Sequence, residues 1–207
     1  MTKQEIWDDI SKQVDSITDA LDMHIDEKIK PVVIGLNALG ITTSGSCGGH
    51  IDEDGRTRFP YLDFSAPNEP EYRHQNEENI INEILDKYKI EPRKKNYIFW
   101  PGNEAAEKEY YDRIRNAPTT KEYIEWDNKN FALERSVFNI VSLFNEQKGS
   151  NRLPVITYDP GPAIVCRLNN EEYIKTLSKE DLNKYVLEAQ KEMDEFSVFL
   201  KNRFFNN

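Results

Sequence analysis

Ile6, Ile10, Val14, Ile17 and Leu21 recur at steps of four and three residues, a spacing that lines them along one face of an α-helix. The same period closes the chain, where Leu182, Val186, Ala189, Met193, Phe196 and Leu200 share a face behind Ser178 and Asp181, which are spaced to cap a helix start. Between these ends the helical stripes give way to short β-branched or alternating runs. Such a chain has to bury amphipathic helices against a small sheet. The expected class is α/β in the broad sense, an α+β arrangement with a small mixed sheet flanked by several helices.

Asp26 is placed to cap a second helix whose stripe is Ile29, Val32, Val33, Leu36 and Leu39, with Pro31 near its start and Gly40 as its stop. Residues 41–46 read as a strand, Cys47 to Arg58 as a loop, and Tyr61-Leu62-Asp63-Phe64 as a second strand. A turn at 65–70 precedes a helix marked by Ile80, Ile81, Ile84, Leu85 and Tyr88, and Tyr97-Ile98-Phe99-Trp100 reads as a strand. Asn103 can cap a helix to about Arg115, and Thr119 with Glu122 predicts a capping box for a longer one carrying Tyr123, Trp126, Val137, Ile140, Val141 and Phe144. Val155 to Tyr158 and Ala163 to Leu168 form an expected strand pair around Asp159-Pro160-Gly161-Pro162. A length of 207 residues suits one domain, 1–207, with 103–147 as a helical, insertion-like section.

Lys and Arg number 27 against 37 Asp and Glu, a net charge of −10 that repels phosphate backbones, so nucleic acid is not an expected partner. Arg56 with Arg58, or Arg93-Lys94-Lys95, can form a local basic patch or simply be solvated surface charge. No run approaches the ~18 apolar residues of a membrane span, and the amino terminus lacks a charged-then-apolar leader pattern. The expectations are no membrane association and a cytoplasmic setting. There Cys47 and Cys166 stay thiols.

Residues 42–50, Thr-Thr-Ser-Gly-Ser-Cys-Gly-Gly-His, concentrate small polar groups to a degree that packing does not require. Its glycines, including Gly48 and Gly49, let main-chain amides approach a ligand, while Thr43, Ser44 and Ser46 add hydroxyls. Cys47 and His50, three residues apart, are the candidate catalytic pair, nucleophile and base, for which a third, orienting group has to come from elsewhere. Asp26 is within reach of the segment, and Arg167 is the basic residue expected to face an anionic ligand. Cys47, His50, His24, His74, Asp52 and Asp54 are metal-ligating types without metal-ligand spacing, so no metal site is expected. His24 and His74 read as local hydrogen-bonding or solvated residues. Alternation turns Asp63 away from the face of Leu62 and Phe64, toward either solvent or a pocket.

The run His24-Ile25-Asp26-Glu27-Lys28-Ile29, then Leu36-Asn37, then residues 42–50 resembles the tRNA wybutosine-synthesising methyltransferase family, as does Tyr158-Asp159-Pro160 with the strand behind it. A Ser-Cys-x-Gly-His loop, matched here by Ser46, Cys47, Gly49 and His50, makes the chain more similar to an uncharacterised group of bacterial and phage proteins; the wybutosine family has arginine where His50 stands. The resemblance implies an α/β fold of that kind and, for the wybutosine branch, S-adenosylmethionine as cofactor in methylation of a tRNA guanosine. Two functional expectations follow. One is a small-molecule site for a nucleotide-like or adenosyl ligand, extended in an enzyme to group transfer such as methylation with His50 as base. The other is a non-enzymatic module that binds a protein or sequesters a ligand, with Tyr110, Tyr111, Tyr123 and Trp126 of the helical middle as its surface. The oligomeric state is not legible.

Overall fold

Ser16 ends the first helix well before its apolar stripe runs out: its amide donates to the carbonyls of Lys12 and Gln13, and the chain turns so that Thr18 bridges His24. The structure is a computed structural model that describes residues 1–18, 22–52, 56–91, 103–148, 153–158, 163–166 and 171–206. In chain order the elements are α1 (Lys3–Asp15), α2 (Lys30–Ala38), β1 (Thr43–Cys47), β2 (His50–Ile51), β3 (Thr57–Arg58), β4 (Tyr61–Phe64), α3 (Glu77–Tyr88), α4 (Glu104–Ile114), α5 (Lys121–Glu146), β5 (Val155–Tyr158), β6 (Ala163–Cys166), α6 (Glu171–Thr176) and α7 (Lys179–Asn206). The expected strand at 97–100, the connection at 159–162, and Leu21, Asp54, Arg93-Lys94-Lys95, Arg167 and Leu168 lie outside the described residues.

The chain divides into two compact units, Met1–Ala66 with Asn130–Asn207, and Pro67–Lys129. The first holds a four-stranded sheet in the order β1-β4-β6-β5 and the two-stranded ribbon β2-β3. The α+β class stands, but the sheet is antiparallel throughout where a mixed one is expected. For β5 and β6 the reason is connection length: they are joined too closely for a crossover, and a chain that doubles back without one returns antiparallel. Leu62, Phe64, Ile164 and Cys166 turn one face of the sheet into a core shared with Val32, Val33 and Leu36 of α2, Val137, Val141 and Phe144 of α5, and Met193, Phe196 and Leu200 of α7. Phe144 and Phe196 meet with ring centroids 4.9 Å apart. Gly35 lets α2 approach α7 closely, since a methyl group there would lie 2.8 Å from Leu200 Cβ.

Two helix starts differ from expectation. α2 begins at Lys30, and Asp26 does not cap it; its Oδ1 instead accepts from the Lys28 amide in the preceding turn, while its carbonyl takes the Ile29 and Lys30 amides. α5 is capped by Thr120, whose Oγ1 accepts from Tyr123 N–H at 3.2 Å, whereas Thr119 pairs with His74. Asn103 and Ser178 cap α4 and α7 as predicted. In the second unit α3 and α4 close over Ile80, Ile84, Ala106 and Tyr110, with buried Glu77 accepting from the Tyr110 hydroxyl and the His74 amide. His74 Nδ1 also pairs with the Ala117 carbonyl, so this histidine is a local structural residue. No helix among the described residues is long and apolar enough to cross a membrane.

Candidate functional site

Ile41, 2 % exposed, pins the start of the polar segment to the core, and Asn37 of α2 donates from Nδ2 to Thr43 Oγ1 at 3.1 Å while also bonding the Val33 carbonyl. β1 then runs antiparallel to β4 with an irregularity at Ser44, the register moving from Thr43 opposite Phe64 to Gly45 opposite Asp63 and Cys47 opposite Tyr61. That register puts Gly45, Cys47, Tyr61 and Asp63 on the face opposite Leu62. Asp63 therefore packs on Gly45, where an added methyl group would lie 2.8 Å from its Oδ2, and burial raises its carboxyl above the usual carboxylate range. Burial, followed by the negative charges of Cys47 and Asp63, raises the Tyr61 phenol as well.

After Cys47 the chain turns at once into the β2-β3 ribbon, which the sequence reading leaves as loop. Gly49 makes the turn with φ at +86°, and a side chain there would run into Pro60, 2.7 Å from its Cδ. Gly48 is packed against the Asp26 carboxylate so closely that a larger residue there would have to displace it. Both glycines are buried, and their carbonyls accept from a single side chain, Gln190 of α7, whose Nε2 lies 3.1 Å from Gly48 O and 2.9 Å from Gly49 O. An amide from the last helix thus sets the turn that separates thiol from imidazole.

Cys47 Sγ lies 3.5 Å from His50 Nδ1 and accepts the Gly49 amide at 3.4 Å. The other ring nitrogen, Nε2, is 2.9 Å from Asp52 Oδ1. Asp52 is held in turn by Arg58, whose Nε donates to Oδ2 at 3.3 Å, with Arg56 Nε 4.0 Å from the same oxygen. Burial works to raise the Asp52 carboxyl, but the Arg58 hydrogen bond and charge, helped by His50, hold it below the usual range. An ionised Asp52 accepts a hydrogen bond from Nε2–H, which keeps the proton on that nitrogen and leaves Nδ1 to accept from the thiol. The result is a thiol–imidazole–carboxylate line, an arrangement chemically able to supply a nucleophile, a base and an orienting group.

Beside this line lies a cavity of about 370 Å³. One wall is β1, from Thr43 to Cys47 with His50; the other is the α1–α2 connection, through Ile17, Thr18, Met23, His24, Ile25 and Asp26. β1 is an edge strand, so its outward main-chain groups have no sheet neighbour among the described residues. The early end of α1 is what frees Ile17, 48 % exposed, to reach this wall instead of continuing a buried stripe.

Of the residues singled out in the sequence, Asp26, Thr43, Ser44, Ser46, Cys47 and His50 border the cavity, and Gly48 and Gly49 shape the turn behind it. Arg167 lies outside the described residues. Asp52 and Gln190 are the functional residues that sequence reasoning misses. For Asp52 a signal exists: His50 and Asp52 are two residues apart, as are Arg56 and Arg58, and a two-residue period places each pair on one face of a ribbon. Gln190 carries no such signal, because it meets the turn across 141 residues of chain.

Fold and site together define an α+β protein with a thiol–imidazole–carboxylate line at the wall of an open cavity. Compared with protein-family models, curated proteins and solved structures, the chain has no match.

Proposed function

We propose that this protein binds a small molecule in the cavity beside residues 42–50 and transfers an acyl group from it through Cys47. The observation that carries this reading is the contact of His50 with Cys47 through one ring nitrogen and with Asp52 through the other. The sulfur attacks the carbonyl carbon of an ester or thioester as His50 Nδ1 takes the thiol proton. A C–S bond forms, the bond to the leaving alkoxide or thiolate breaks, and that group departs with the proton from His50. Water, or a second substrate's hydroxyl or amine, then attacks the thioester carbonyl and gives its proton to His50; the C–S bond breaks and the Cys47 thiol is restored with that proton.

Methyl transfer, implied by the family resemblance, would use His50 as base but leave the thiol idle. The approach of both Gly49 N–H and the imidazole to the sulfur favours the thiol route. The cavity volume is within the roughly 300–1,000 Å³ range of small-ligand sites, which suits a ligand of nucleoside or adenosyl size. A net charge of −10 favours such a ligand over nucleic acid, and a working free thiol fits a reducing, cytoplasmic setting.

The test is mass spectrometry of the intact protein after exposure to p-nitrophenyl acetate and to a small acyl thioester. The expected result is one acyl group on Cys47, absent in Cys47→Ala. Acylation spread over lysines with none on Cys47 would overturn the proposal.

A further inference from the structure

The cavity has a charge sign. Among its described lining residues Asp26 supplies a carboxylate, and none supplies a lysine or arginine. Asp52, which is not among the lining residues, is matched by His50, Arg58 and Arg56. Asp26 is not matched: among the described residues its side chain takes one main-chain hydrogen bond, from Lys28 N at 2.9 Å, and enters no salt bridge. Its carboxylate, though exposed, lies against Gly48, next in sequence to Cys47, which places it near the sulfur. Next to it the wall turns apolar, with Ile17 and Met23 48 % and 63 % exposed, side chains that an apolar ligand body would cover. A chain carrying −10 overall also draws cations toward such an opening.

We infer that the ligand is a small cationic amine with an apolar body, its ammonium group paired with Asp26 and its body on Ile17 and Met23, so that its far end lies at Cys47. The reacting end rests on the thiol chemistry proposed above; the cationic end rests on the cavity alone. An anionic ligand such as a phosphate ester would meet the Asp26 carboxylate and, among the described lining residues, no lysine or arginine to hold it, only the imidazoles of His24 and His50, so it is disfavoured on the same ground.

The test uses three probes of one shape, 2-phenylethylamine, 2-phenylethanol and 3-phenylpropanoate, and reads how much each slows alkylation of Cys47 by iodoacetamide. Alkylation by iodoacetamide attacks the Cys47 thiolate and involves no acyl group, so the result does not depend on whether Cys47 performs acyl transfer. The amine is expected to slow labelling about tenfold at a concentration where the alcohol and carboxylate have little effect, a discrimination of about 1.4 kcal/mol. The advantage of the amine should vanish in Asp26→Asn, which keeps an oxygen for the Lys28 amide, and should shrink in the unaltered protein as ionic strength rises. Equal protection by all three probes, better protection by the carboxylate, or an amine advantage that survives both Asp26→Asn and high salt would overturn the inference. Failure of Cys47 to take an acyl group would instead count against the acyl-transfer reading and leave this result standing.

Discussion

His50 touches a sulfur with Nδ1 and a carboxylate with Nε2, and the order of those contacts decides which nitrogen can act as base. Asp52→Asn removes the charge that orients the ring, and acyl transfer should fall on the order of 10²- to 10⁴-fold, as when an orienting carboxylate is lost from other triads. Steady-state rates with p-nitrophenyl acetate check this; an unchanged rate would mean that Asp52 only trims the surface. The pH dependence has a definite sign. The Asp52 carboxyl is depressed in the folded state, so what it contributes is present above the ordinary aspartate value of about 3.9 and is lost as pH falls through its lower folded value. At this scale part of the site was legible: Cys47 and His50 stand out by residue type, whereas the two-residue offset of Asp52 from His50 acquires meaning only once the segment is known to be a strand. Asp26 was legible as a neighbour of the segment but not in its role, since its contact with Gly48 exists only after folding.

Elements were easiest to read where the apolar period was unbroken, as in α3 and α7, and hardest where short pieces pair. The β2-β3 ribbon commits only two residues to each strand, too few for a pattern to rise above the surrounding polar loop. The first helix misled for the opposite reason: Ile17 continues a helical stripe in sequence, yet the chain leaves the helix at Ser16 and uses Ile17 as cavity wall. α7 holds the Gly48-Gly49 turn through Gln190. Gln190→Ala leaves two buried carbonyls without their donor, at a cost of about 1–3 kcal/mol. The released turn should also lower kcat on the order of 10²-fold with little change in KM, because the loss is one of alignment. Kinetics combined with a thermal melt separate this from simple unfolding; a lower melting temperature with unaltered kcat would reduce Gln190 to a structural tie.

On the scale of the whole chain, the division into two units means that the site and its cavity belong entirely to Met1–Ala66 with Asn130–Asn207. The sequence gives little warning of that division, since the helical periods of Pro67–Lys129 look like those elsewhere and only the contacts of folding set them apart. In that unit burial, then the Glu77 hydrogen bond, holds the Tyr110 phenol well above its ordinary range. Its stabilisation is complete below the ordinary tyrosine value of about 10 and is lost as pH rises through the higher folded one. Tyr110→Phe removes one of the two donors to buried Glu77, leaving Oε1 without the hydroxyl while Oε2 keeps the His74 amide, at a cost of about 1–3 kcal/mol. Amide exchange should quicken in α3 and α4 while acylation of Cys47 keeps its rate, and parallel loss of both would contradict the assignment of the site to the other unit alone. The central claim, that His50 activates Cys47, is tested most directly by the rate at which p-nitrophenyl acetate acetylates Cys47 in the unaltered protein and in His50→Ala, with Cys166, 0 % exposed, as reference thiol in the same chain. The account predicts rapid acetylation of Cys47 that falls at least about 10²-fold in His50→Ala while Cys166 stays unmodified in both; equal rates at Cys47 in the two proteins would contradict it.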